Sequence, residues 1–189
     1  MRAEFLAVLC LDFDIRWPGR AKRYSGLAHF ALEQLMARKV SESRTVMTEM
    51  VLPQHTNALG TIFGGVIMSW IDICGAITAQ RHSRLPVVTA SIDYLQFVKP
   101  VLIGWTVNLK ASVNYVGKTS MEIGVRVDAE NPRTGETFHT ASAYLSFVAL
   151  DQNKVPIEVD SLILENEDEK RRNKDATKRR EARLGLRGR

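Results

Sequence analysis

A carboxylate in the middle of an apolar run is the first residue of this 189-residue chain that calls for a chemical explanation. Asp72 is the one charged residue among the eighteen from Ile62 to Ala79. Burying an unpaired carboxylate is costly, so such a group is paired, solvated or used. At helical spacing Gly65, Ser69, Gly75 or Ala76, and Ala79 share its face, whereas Ile67, Trp70, Ile71, Cys74 and Ile77 lie on the others. A stripe of small residues leaves open space beside the acid. This reads as a site acid rather than a structural carboxylate bonded across an interface. Gly64-Gly65 opens the same helix, where free backbone N–H groups can hold a developing negative charge and glycine admits a close ligand. Asn57, in the loop upstream, offers a neutral amide that can position a water or a carbonyl.

Other patterns carry no chemistry. Gly117-Lys118-Thr119 resembles the end of a phosphate-binding loop, but Ser112 stands where that motif needs glycine, and strands flank the segment. His55, His82 and His139 share no metal-ligand spacing with one another or with Cys74, so no metal is expected. Cys74 reads as core filler. No Ser-His-Asp arrangement follows from spacing.

These residues need elements to hold them. Thr45 to Leu52 reads as a strand closed by Pro53, and residues 54–60 as a loop. A long apolar helix runs from Ile62 to about His82. As a membrane span it would carry a central Asp at roughly 2.5–3.5 kcal/mol, together with three glycines, and strands follow it. A helix buried on nearly all sides fits better. Val87 to Val98 is the next strand, stopped by Lys99-Pro100. Trp105 to Tyr115 and Met121 to Ala129 alternate apolar and polar residues strictly, as half-buried strands do. Turns at 117–120 and 131–136 lead on to a strand from Thr137 to Leu150. The expectation is an α+β fold: one long helix wrapped by a curved antiparallel sheet of about five strands, the last four in meander-like succession. A second subunit would cover what the sheet leaves open.

Composition frames the rest. Hydrophobic residues are 45% and charged residues 25%, which excludes collagenous, disordered and disulfide-dense scaffolds. Two cysteines, Cys10 and Cys74, make no disulfide framework, and the chain is read as cytoplasmic. The net charge of +5 is concentrated: residues 170–189 hold ten Lys or Arg against two acids. We divide the chain into a weakly structured extension (1–40), a domain (41–162) and a charged, basic tail (163–189) with little fixed structure beyond about 165. The extension reads either as dispensable, with Met36 as a second possible start, or as a short helix over 26–38. The tail lacks interleaved aromatics, so it suits weak contact with polyanions and no specific nucleic acid.

Several separated motifs resemble one family. Residues 57–65 (NALGTIFGG), Met68-Ser69-Trp70-Ile71-Asp72 and Gly75-Ala76 carry the likeness. So do residues 97–101 (FVKPV) with Gly104, residues 116–121 (VGKTSM), Thr140-Ala141 and Phe147-Val148-Ala149. Over about 44–157 the chain is similar to the hot-dog-fold acyl-CoA thioesterases, in the subgroup of YciA-like bacterial enzymes and cytosolic acyl-CoA hydrolases. It departs from them at Trp105, where an acidic residue is usual.

The resemblance implies hydrolysis of a fatty acyl-CoA to fatty acid and CoA. No cofactor or metal is implied; CoA is part of substrate and product. Asp72 matches the catalytic acid, either as general base on water or as nucleophile giving a mixed anhydride. Asn57 matches its partner, and Gly64-Gly65 would hold the thioester oxygen. Lys118, Thr119 and Ser120 in the turn, with Arg81 and Lys99, would meet the CoA nucleotide. The family's homodimers pair edge strands and assemble as trimers of dimers (hexamers), bringing Asn57 of one chain towards Asp72 of the other. The alternative is a non-catalytic acyl-CoA sensor of the same fold, although residues 1–40 are too short and irregular for a DNA-binding module. A dehydratase would need a histidine at helical spacing from Asp72, and there is none.

Overall fold

The structure, a computed structural model of the chain, describes residues 37–187. The expected N-terminal extension lies outside the described residues except for its last few. The described chain opens with β1 (Arg38–Lys39), a helical turn α1 (Val40–Ser43) and β2 (Thr45–Met50). A 3-10 turn at Pro53–His55 leads to helix α2 (Gly64–Ser83). Then come β3 (Val87–Phe97), β4 (Thr106–Val116), β5 (Ser120–Glu130) and β6 (Thr137–Ala149). A short β7 (Leu162–Ile163) runs parallel to β1 and precedes a second long helix, α3 (Glu167–Arg187).

Strand order in the five-stranded antiparallel sheet is β2-β4-β5-β6-β3. The last four strands are therefore not a simple meander. Only β4, β5 and β6 follow one another, and β3 pairs with β6 at the edge opposite β2. The cause lies in α2, which leaves edge strand β2 and delivers the chain to the far edge. Residues 98–105 then return it to β4. Alternation along the strands points one face at α2. Val107, Leu109, Ala111, Val113, Ile123, Val125, Val127, Leu145 and Phe147 are all buried there. Gly75 lies against this layer so closely that a Cβ would sit 3.0 Å from the Phe147 ring. Any larger residue at this point of helix–sheet contact would need the buried Phe147 ring to give by a few tenths of an ångström.

The sheet does not enclose α2. Gly75 and Ala79 are buried against the sheet, so they do not share the face of Asp72 as the helical spacing suggested. Asp72 instead lies half-buried on an open stripe with Ser69, Met68, Ile73 and Ala76. Met68 and Ile73 are 40% and 47% exposed in the single chain. Large apolar side chains on an acid-bearing stripe mark a surface for another chain or a ligand.

The charged C-terminal segment is ordered, contrary to the expectation from its composition. α3 crosses the outer face of the sheet. Glu169, buried, receives Arg44 at 2.5 Å beside β2, and Asn173 donates to the Asn114 carbonyl of β4 at 2.8 Å. Arg179 grips Glu122 of β5 through two contacts of 2.6 and 3.2 Å and stacks 3.7 Å over the Tyr144 ring of β6. Arg183 pairs with Asp93 of β3. Glu169, Asn173, Ala176, Arg180 and Arg183 recur at three- and four-residue intervals, as an inward stripe must. Only Ala176 in that stripe is apolar. Composition missed this helix because its docking is ionic, against carboxylates on a face that strand alternation assigned to solvent.

Near the C-terminus of α2, His82 is buried and its Nε2 donates to the Asp160 carbonyl at 3.0 Å, while Nδ1 has no partner among the described residues. Burial pulls its pKa below the ordinary 6.5, outweighing the opposite pull of the Asp160 carbonyl. The unfolded chain then binds more protons than the folded one between the two pKa values, so stability is lost as pH falls through that window. We expect the melting temperature to drop on acidification from pH 7 towards the mid-5 range, and to drop less in His82→Gln. Parallel slopes in a thermal-unfolding series would show that His82 does not set this dependence.

Candidate active site

Asp72 has one hydrogen-bond partner that the sequence did not suggest. The Thr89 hydroxyl, on β3, donates to Asp72 Oδ1 at 2.6 Å. This bond orients the carboxylate, and Oδ2 has no partner among the described residues. A threonine in a Val-Val-Thr-Ala run carries no signal of its own; it is found only once the topology sends α2 to the β3 edge.

Asn57 is held by its own loop. Its Oδ1 accepts from the Leu59 and Thr61 N–H groups at 2.9 and 3.3 Å, and Nδ2 donates to Thr61 Oγ1 at 2.9 Å. One amide hydrogen of Nδ2 remains free to point outward. No hydrogen bond joins Asn57 to Asp72 among the described residues.

The N-terminus of α2 is uncapped by any side chain, and the N–H groups of Gly64 and Gly65 meet no acceptor among the described residues. Beside Gly64 is a cavity of about 340 Å³ lined by Ile67, Phe97, Val98 and Lys99. A Cβ on Gly65 would sit 2.5 Å from the Phe63 ring, so only glycine lets that ring fold over the helix start. At 1.5 Å rise per residue, Gly65 lies about 10 Å along the helix from Asp72. A hydrogen bond to an oxygen at Asp72 cannot come from there. The expected oxyanion donors and the expected acid therefore do not meet within one chain.

The cationic candidates are also dispersed. Arg81 donates to the Arg44 carbonyl at 3.0 Å and to Thr45 Oγ1 at 3.2 Å, which commits it to the start of β2. Lys99 lies 5.0 Å over the Phe138 ring, at the Gly64 end of the helix. Lys118 faces Glu158 at 3.4 Å with both side chains largely in solvent, a weak pair that a phosphate can displace. Ser120 stands opposite Val148, and Val148 opposite Val88, so the Lys118-Thr119-Ser120 turn is at the Thr89 end of the sheet. It is two strand spacings away, about 10 Å.

Neither Cys74 nor His55 offers a nucleophile. Burial pushes the Cys74 thiol up to about 11, which keeps it protonated and unreactive. His55 is used structurally, accepting the Leu52 N–H at Nδ1 and packing edge-on against Trp70. Among the described residues no group of three His, Cys, Asp or Glu side chains could hold a metal. No helix there is long and apolar enough to cross a membrane.

Comparison with known proteins places this arrangement. The Thioesterase superfamily model matches residues 59–136. An uncharacterized acyl-CoA thioester hydrolase, YkhA, of Bacillus subtilis (strain 168) is 42% identical over 138 residues, 73% of this chain and 80% of that protein. The chain belongs to the thioesterase superfamily. Its α+β architecture, a long helix against a five-stranded antiparallel sheet, is that superfamily's hot-dog fold. Among solved structures, an acyl-CoA hydrolase of Staphylococcus aureus, with butyryl coenzyme A and coenzyme A, matches with a TM-score of 0.75. It is 37% identical, and the match covers 80% of this chain and 92% of that one. A hexameric acyl-CoA thioesterase in its apo form matches with a TM-score of 0.77 at 41% identity, over 79% of this chain and 96% of the other. The Staphylococcus enzyme has also been solved with an asparagine, an aspartate and a threonine each changed to alanine. There the aspartate follows the asparagine by 15 residues and the threonine follows the aspartate by 17.

Proposed function

We propose that this superfamily member hydrolyses fatty acyl-CoA thioesters at a site built by two copies of the chain, with Asp72 as its acid. One observation carries the reading: the Thr89–Asp72 hydrogen bond on the open stripe of α2. Asn57, Asp72 and Thr89 are separated by the same intervals as the three residues altered in the Staphylococcus enzyme. That enzyme's coenzyme A complexes support a CoA thioester as substrate.

The pairing of two copies follows from the sheet edge. β3 has a partner on one side only, and Thr89 lies near one end of it, Phe97 at the other. Two β3 strands paired antiparallel about their middle set the Thr89 end of one chain beside the Phe97 end of its partner. Phe97 packs on Gly64 within each chain. The partner's helix N-terminus thus comes to Asp72, replacing the donors that its own helix holds about 10 Å away. The open apolar stripe of α2 is covered in the same step. The free Asn57 amide of the partner then has an object: the attacking water or the thioester carbonyl.

Two routes share this geometry. As general base, Asp72 takes a proton from water as the water oxygen bonds to the thioester carbon; the C–S bond then breaks and the thiolate is protonated. As nucleophile, Asp72 Oδ2 bonds to the carbonyl carbon and CoA thiolate leaves, giving an anhydride that water cleaves. In both, the negative oxygen faces the partner's Gly64 and Gly65 N–H groups. Lys118, Thr119 and Ser120 serve the CoA nucleotide end, and neither route assigns a catalytic step to a metal or cofactor.

Release of free thiol from acyl-CoAs of increasing chain length tests the reading. Turnover with at least part of the series is the expected result. Binding without turnover across the whole series would identify a sensor instead.

A further inference from the structure

β3 carries the hydrogen-bond donor to Asp72, yet it has the fewest constraints of the long strands. It is a sheet edge, and its pairing with β6 is irregular at two places, between Thr89 and Ser91 and between Ile92 and Tyr94. Ala90 and Asp93 are the residues left out of the ladder. Pairing with a second copy covers the edge but does not mend the ladder to β6: at its two bulges that register is loosely fixed, and a shift of one residue turns Thr89 away from α2.

The outer face supplies what the ladder lacks. Asp93, at the second bulge, accepts from Ser91 Oγ at 3.1 Å and meets Ser146 Oγ at 3.5 Å. It is paired with Arg183, and the two side chains are only 13% and 19% exposed. Arg183 is itself fixed one helical turn from Arg179, which holds Glu122 and stacks on Tyr144. A continuous chain of contacts therefore runs from β5 through α3 to the bulge. From there it is four residues, about 13 Å of strand, to Thr89.

We propose that α3 is a clamp on β3, and that Arg183 and Asp93 are positioning residues for the Thr89–Asp72 pair. The C-terminal segment thereby serves catalysis instead of trailing from the domain as a polyanion-binding tail. The proposal rests on the reading of Asp72 as the site acid, and it adds that the acid's geometry is set from the opposite side of the sheet. Removing Arg183 leaves the half-buried Asp93 without its cation and frees the strand at its weakest point.

The test is the full-length Arg183→Ala variant, with Lys178→Ala as control because Lys178 faces solvent on α3. Amide hydrogen exchange over residues 88–96 should quicken in Arg183→Ala and stay unchanged in the control. Turnover on a good acyl-CoA should fall about tenfold in kcat with KM little altered, as displacement of a catalytic group by a fraction of an ångström does. Charge exchange, Asp93→Arg with Arg183→Asp, should restore part of both. Unchanged exchange in β3 would overturn the clamp. Faster exchange with kcat within about twofold of wild type would overturn the positioning role. If the wild type hydrolyses no acyl-CoA, the functional reading fails, and the positioning role with it, while the exchange measurement still decides the clamp.

Discussion

Asp72→Asn should abolish acyl-CoA hydrolysis while leaving the fold intact. The amide keeps the size of the carboxylate and can still accept the Thr89 hydroxyl at its oxygen. What it loses is the second carboxylate oxygen, Oδ2, the atom to which the proposed reading gives the proton from water or the bond to the carbonyl carbon. Removing a general base costs about 100- to 10,000-fold in rate, and removing a nucleophile costs no less. The loss should appear in kcat, because the substitution leaves the surfaces that hold CoA untouched. Steady-state kinetics with thermal unfolding as a fold control is the measurement. Turnover within about threefold of wild type would remove Asp72 from the chemistry.

The second large effect is a gain. Asn57→Ala and Asp72→Asn proteins, each nearly inactive, should recover activity when their subunits are exchanged. Asn57 and the N–H groups of Gly64 and Gly65 lie on the loop and first turn that enter α2, whereas Asp72 is about 10 Å further along the helix. If each site takes its acid from one chain and its amide and oxyanion donors from the other, a mixed pair holds one intact site and one doubly damaged site. Random exchange of equal amounts makes about half the dimers mixed, so recovery should approach about one quarter of wild type. No recovery, in samples shown to have exchanged, would mean that each chain carries a complete site.

The elements were legible because their periodicities are strong. The alternation from Trp105 to Tyr115 and from Met121 to Ala129 reappears as β4 and β5 to within a residue or so, and the apolar run after Ile62 as α2. Asp72 stood out for an equally simple reason, being one charge in an apolar stretch. What was not legible depends on pairing across long separations. Thr89 acquires meaning only from the position of β3 at the far edge. Gly75 and Ala79 could not be separated from the open stripe by spacing alone, since a helix of nearly uniform apolarity does not reveal which side faces the sheet. The segment of α3 reads as a tail in the sequence because the ten basic residues of 170–189 look solvated, and the acids that draw Arg179 and Arg183 inward lie 57 and 90 residues away in the chain.

That last separation bears on the order in which the molecule is finished during synthesis. The strand that bonds Asp72 through Thr89 is made early, but its ladder partner β6 appears only after β4 and β5, and Arg183, which pairs with Asp93 at the bulge, comes 90 residues after it. Long-range pairings of this kind form late and leave an edge exposed until they do. On the ribosome α2 and Asp72 therefore emerge well before β6 and α3, the elements that fix β3 beside them. The nascent domain must carry β3 unpaired until β6 is made, and its second bulge without Arg183 until nearly the last turn of α3 has been released.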